Sequence, residues 1–170
     1  MKLKKNERLR LNVASLILEK NGEVLLLKKT GNRGGEYGLV GGRIEAGESA
    51  KQALLRETFE EAGITLDPKN VTLVLTIHRL RMDTPTVHFF FFADHWEGHI
   101  HNKEPHKCEH LRWVPFTQLP SNTATVIKRG IEAFVKGETY LELGFKSKHR
   151  IPKIPRQLQS KRQQSTNKGK

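Results

Sequence analysis

Apolar and polar positions alternate along this chain in blocks of strand length, interrupted once by a helical block and closed by another. Residues 11–18 form an apolar run that predicts a first strand. "KNGE" follows, and its Asn21-Gly22 pair is a strong short-range hairpin signal, so 24–27 predicts the returning strand. The Gly-rich stretch "TGNRGGEYGLVGGRIEAGE" predicts loop, a short strand over 37–40, then loop again. Ser49 with Gln52 three residues on is a capping-box pattern, and Gly63 suits a helix C-terminus, so a helix is predicted over 50–62. Leu55, Phe59 and Ala62 fall at i, i+4 and i+7 and predict its apolar stripe. Two strands, 71–80 and 86–96, are predicted around "RMDTP", with the four-Phe run reading as a fully buried central strand. A strand over 109–116 and a last helix over 123–136 complete the pattern, with Ile127, Ile131, Phe134 and Val135 supplying the helix's apolar face. Strands mixed with two helices predict an α/β fold in which helices sandwich a mixed sheet.

Charge changes the picture at the ends only. The 170 residues carry a net charge of +12. Residues 146–170 contribute +9 with no acid, residues 1–10 contribute +4, and the intervening body is close to neutral at −1. A folded domain over 1–145 and a basic, disordered tail over 146–170 are therefore expected. The tail could grip nucleic acid through phosphates, non-specifically and with strong salt dependence. It has no aromatic residue with which to stack bases. No run of 18 or more apolar residues predicts a membrane span, and the single cysteine, Cys108, excludes an intramolecular disulfide. A cytoplasmic protein is expected; oligomeric state is not legible. The histidines at 95, 99, 101, 106 and 110 are accompanied by a single cysteine, so the C-x-x-C half of a structural zinc site is missing.

One stretch conflicts with simple helix design. "RETFEEAG" puts Glu57, Glu60 and Glu61 on one helical face, where like charges repel by a few tenths of a kcal/mol per pair. A solvated acidic face is one reading. A multivalent cation is the other, and all-oxygen ligands favour a hard ion such as Mg²⁺ or Mn²⁺ over zinc.

The surrounding residues extend this. From Gly42 the chain reads "GRIEAGESAKQALLRETFEEAGI", which resembles the Nudix box, G-x5-E-x7-R-E-U-x-E-E-x-G-U, where U is a bulky apolar residue. Gly42, Glu48, Arg56, Glu57, Glu60, Glu61 and Gly63 match its seven fixed positions, and Ile64 its last apolar one. Thr58 stands where an aliphatic residue is usual. The resemblance implies an α/β/α sandwich that hydrolyses a nucleoside diphosphate linked to a further group. It implies metal ligation by Glu57, Glu60, Glu61 and the Gly42 carbonyl, with Arg56 holding the glutamates and Glu48 paired within the loop. A second stretch, "WEGHIHNKE" from Trp96 to Glu104, resembles the region after the box in MutT-type enzymes, which supplies a further glutamate. Glu104 matches it, with Glu109 as the alternative. By the same resemblance Lys28 and Lys29 would approach phosphates and Asn122 would read a base, although a helix cap explains Asn122 equally well. Val40, where MutT-like chains carry proline, departs from the branch.

The implied substrate is a nucleoside triphosphate, plain or oxidised, cleaved to monophosphate and pyrophosphate. Dinucleoside polyphosphates, ADP-ribose and RNA 5′ ends are the alternative substrates. A nucleotide- or RNA-binding module without turnover is the rival of another class.

Overall fold

The computed structural model describes residues 13–31 and 35–145. Seven strands form one mixed sheet in the order β6-β2-β3-β1-β5-β4-β7. They are β1 (Val13–Lys20), β2 (Glu23–Lys29), β3 (Tyr37–Arg43), β4 (Thr72–Arg81), β5 (Thr84–Ala93), β6 (Cys108–Pro115) and β7 (Tyr140–Leu143). Helix α1 (Ala50–Ala62) lies on one face and α2 (Thr125–Val135) on the other. The expected α/β/α sandwich is therefore the observed fold.

Side chains alternate across a strand, so each buried strand feeds two cores. Phe89 and Phe91 pack into the core beneath α1, and Phe90 and Phe92 into the core beneath α2. β5 lies between β1 (parallel) and β4 (antiparallel), which bears out the central-strand reading of the four-Phe run. Full burial of a side chain such as Phe90, at 0% exposure, contributes on the order of 1.5–3 kcal/mol. Asn21 and Gly22 sit at φ 53° and 81° in the β1–β2 turn, the left-handed pair that a two-residue hairpin needs.

Helix α1 spans the residues its caps predict. Ser49 Oγ accepts from the Gln52 amide at 3.2 Å, and Gln52 Oε1 accepts from the Ser49 amide at 2.8 Å. The stripe it buries is a different one: Ala53, Leu54, Thr58 and Ala62 face the core, and Phe59 is 52% exposed. Thr58 tolerates complete burial because its hydroxyl donates to the Leu54 carbonyl at 2.7 Å. Phe59 is covered instead by the Lys103 ammonium, 3.6 Å from its ring centroid. Helix α2 begins at Thr125 behind an Ala124 cap without a side-chain bond, so Asn122 is no helix cap. Val135, expected on the apolar face of α2, is instead 61% exposed. Strand β7, parallel to β4 at the sheet edge, was not legible in the sequence. The expected tail and the basic lead-in lie outside the described residues. Among the described residues no helix is long and apolar enough to cross a membrane.

Candidate active site

Strand β3 changes partner along its length. Its first half pairs with β2 and its second half with β1. Near the changeover the Gly41 amide donates to Glu61 Oε2 at 2.8 Å. The next residue, Gly42, faces α1, and a Cβ there would run into the Glu57 carboxyl. Only glycine lets the Glu57 carboxylate lie against the main chain at this point.

Arg56 organises the rest of the cluster. Its Nε and Nη2 donate to the two Glu48 oxygens at 2.9 and 3.0 Å, a bidentate pair. Its Nη1 reaches Glu57 at 2.9 Å and Glu60 at 3.2 Å, and Nη2 also meets the Arg43 carbonyl at 3.1 Å. Glu48 accepts in addition from the Glu45 amide at 2.7 Å, which closes the loop before the helix. These bonds hold the Glu48 carboxyl below its usual range and raise the Arg56 guanidinium further above its own. Glu60 is the most exposed of the box carboxylates.

Glu104 arrives from a long loop. The amides of His101 and Lys103 donate to the Ala62 and Glu61 carbonyls at 3.0 and 3.3 Å, capping the end of α1. That fastening brings Glu104 beside the helix, where its charge acts on both Glu57 and Glu61. Burial raises the Glu57 carboxyl, against the opposing pull of Arg56. Burial likewise pushes Glu61 up to about 7, with Glu57 and Glu104 adding to the rise and the Gly41 amide and Lys29 opposing it. Glu109 is exposed and bonded to Lys28 at 2.8 Å, a pair that holds its carboxyl below the usual range. The geometry therefore separates the two glutamates that spacing alone left open. Lys28 is committed to that pair. The charges of Lys29 and Lys107 both reach Glu61. The Asn122 side chain donates to the Gly35 carbonyl, and its own carbonyl accepts from the Tyr37 amide, so this residue fixes the start of β3.

Among the described residues no three of these side chains converge tightly enough to cage an ion as they stand. Each is drawn to a protein partner: Glu57 and Glu60 to Arg56, Glu61 to the Gly41 amide, Glu104 to Lys107 at 2.6 Å. The donor set nonetheless fits a hard divalent cation. It is all oxygen, it concentrates mutually repelling carboxylates, and it lies against a glycine that admits close approach to the main chain. Cys108 is buried in the core beneath α1.

On the other face of the sheet a cavity of about 690 Å³ opens between β3, β4 and the start of α2. Gly41 and Lys29 line it and also act on Glu61, so cavity and acidic cluster adjoin. Its far side holds Arg79, Arg81 and His88, which no motif singled out. A signal existed: along β4 one face runs Leu75, Ile77, then Arg79, Arg81, a switch from apolar to basic at unbroken period two.

The fold and the spacing of this cluster are those of a Nudix domain. The chain belongs to the Nudix family: the NUDIX domain model matches residues 8–134. It is 31% identical over 124 residues to the 8-oxo-dGTP diphosphatase of Escherichia coli (strain K12), covering 66% of this chain and 90% of that protein. It is 32% identical over 115 residues to the oxidized purine nucleoside triphosphate hydrolase of Danio rerio, covering 58% of this chain and 65% of that one. The chain thus spans somewhat under two thirds of the Danio rerio protein's length. Among solved structures, a MutT NUDIX hydrolase from Burkholderia pseudomallei superposes with a TM-score of 0.66 at 25% identity, covering 72% of this chain and 95% of that one. The chain is accordingly a MutT-like member of the Nudix family.

Proposed function

We propose that this protein hydrolyses nucleoside triphosphates, oxidised purine forms among them, to a nucleoside monophosphate and pyrophosphate in a Mg²⁺- or Mn²⁺-dependent reaction. The observation that carries this reading is the crowding of Glu57, Glu61 and Glu104 beside β3, where Gly41 both binds Glu61 and lines a cavity of ligand size on the other face. Negative charge crowded and partly buried in this way costs stability that a joining cation would relieve. The resemblance of the chain to enzymes named for oxidised purine substrates supports the choice of nucleotide.

In this reading Glu57, Glu60, Glu61, Glu104 and the Gly42 carbonyl hold the ion, and Arg56 fixes the directions of Glu57 and Glu60. The ion supplies charge neutralisation of the diphosphate and a lowered pKa for water. Glu104 and Glu61 stand ready to accept the proton that the attacking water gives up. Lys29 faces the phosphates from the cavity side. Water adds to one phosphorus, the bridging P–O bond breaks, and the departing phosphate carries away the electron pair. A nucleotide substrate and the lack of a membrane-spanning helix among the described residues accord with a cytoplasmic setting.

The test is a product-resolved screen over ordinary and oxidised nucleoside triphosphates, dinucleoside polyphosphates and ADP-ribose, with and without Mg²⁺. Pyrophosphate and monophosphate from a triphosphate, lost on chelation, are expected. Turnover that is indifferent to chelation, or confined to ADP-ribose, would overturn the proposal.

A further inference from the structure

The cavity is basic where a pocket for a neutral base needs no charge. Arg79 and Arg81 stand two residues apart on one face of β4, so their Cα atoms are roughly 6.6–7 Å apart. Among the described residues neither guanidinium has a carboxylate within ion-pair distance. Partial burial and then the neighbouring Arg81 make the Arg79 charge costlier. Glu36 is the one acid on the cavity wall, set against Lys29, Arg79 and Arg81.

Two further features point the same way. His88 is 9% exposed, lines the cavity and has an Nδ1 atom without a hydrogen-bond partner. Its ring is neutral near pH 7, since burial and the adjacent Arg79 lower its pKa to about 4. The first turn of α2 lines the cavity too, and no side chain caps it. Orphan amides and the positive end of the helix dipole therefore border the same space.

Resting on the reading of the adjoining acidic cluster as a nucleotide-cleaving site, we infer that this cavity receives a second phosphoryl group, carried on the ribose of the substrate away from the diphosphate that is cleaved. Arg79 and Arg81 bind its oxygens, and His88 and the α2 amides supply the remaining polar contacts. The favoured substrates are then nucleotides bearing a 2′- or 3′-phosphate. That phosphate is either a terminal monoester or the first phosphodiester of an RNA 5′ end; the chemistry is shared. Plain triphosphates leave two adjacent guanidinium groups unmatched.

Binding of uncleavable products tests this apart from hydrolysis. Adenosine 5′-monophosphate, adenosine 3′,5′-bisphosphate, the 5′-phosphorylated dinucleotide pApA and guanosine 5′-monophosphate are titrated calorimetrically into the full chain at low salt, with and without Mg²⁺. The bisphosphate should bind roughly tenfold or more tightly than the monophosphate, a ratio set by charge-assisted hydrogen bonds. In Arg79→Gln and in the more exposed Arg81→Gln the ratio should fall towards one. A gain with both the bisphosphate and pApA supports the shared chemistry, and a gain with pApA alone supports it with the RNA end as source. Binding of both the bisphosphate and pApA no tighter than the monophosphate overturns it. So does a preference for guanosine over adenosine monophosphate that depends on Arg79 and gains nothing from a 3′-phosphate, since the arginines would then read a base edge. If the triphosphate screen is negative while the bisphosphate advantage persists, only the hydrolase reading fails. If no nucleotide binds, both fail.

Discussion

Replacing Glu61 by Gln should stabilise the metal-free protein while removing its response to Mg²⁺. The Glu61 carboxyl is buried beside Glu57 and Glu104, which lifts its pKa from the ordinary 4.5 to about 7. Because the folded state holds this proton more tightly than the unfolded chain, the carboxyl's favourable contribution is complete below about pH 4.5 and is lost as pH rises through 7. The interval from 4.5 to about 7 corresponds to roughly 3 kcal/mol, at about 1.36 kcal/mol per pH unit. Glutamine keeps an acceptor for the Gly41 amide and never ionises. Urea titrations in chelator should therefore place Glu61→Gln about 2–3 kcal/mol above wild type at pH 8 and within about 1 kcal/mol of it at pH 5. Mg²⁺ at ten times its Kd should return about 1.4 kcal/mol to the wild type and nothing to the variant. A variant no more stable than wild type at pH 8, with an undiminished Mg²⁺ response, would refute both the burial of charge and the metal assignment.

Four further outcomes follow from the same geometry. Arg56→Lys keeps the charge but loses the planar fork on Glu48; urea titration should show a loss of about 1–2 kcal/mol, discounted for partial exposure, and kcat should fall by more than tenfold. Thr58→Val replaces a hydroxyl bonded only to the Leu54 carbonyl, so stability should stay within about 1 kcal/mol of wild type and turnover should be retained. Steady-state kinetics should show a large loss of kcat for Glu104→Gln and little change for Glu109→Gln, whose partner is Lys28. Truncation after Phe145 should leave hydrolysis of a small nucleotide intact while flattening the dependence of RNA affinity on log salt, by about 0.7 in slope for each phosphate that the tail would have neutralised; an unchanged slope would dispose of the tail's role.

Helix α1 was legible to its end residues because its signals are local: Ser49 and Gln52 bond each other, and Gly63 adopts φ 71°. Its buried face was misjudged because two stripes compete. The pattern of Leu54, Thr58 and Ala62 looks weaker than that of Leu55, Phe59 and Ala62 until the Thr58 hydroxyl finds its carbonyl. Phe59 can stay outside only because Lys103, far along the chain, covers it. Strand β7 offers four residues at an edge, too short for a periodic signal. The acidic cluster was readable from spacing along one helix. The choice between Glu104 and Glu109 was not, since it depends on a loop folding back onto α1. Arg79 and Arg81 left only the switch from apolar to basic along β4, and His88 joins them through the β4–β5 hairpin, where it pairs opposite Ile77.

That loop has a dynamic consequence. With the amides of His101 and Lys103 ending on the last carbonyls of α1, fraying of the helix and release of the Glu104 loop become a single opening event. An ion that clasps both would slow deuterium uptake at those two amides in step, so isotope exchange there would register occupancy of the centre without any substrate being turned over.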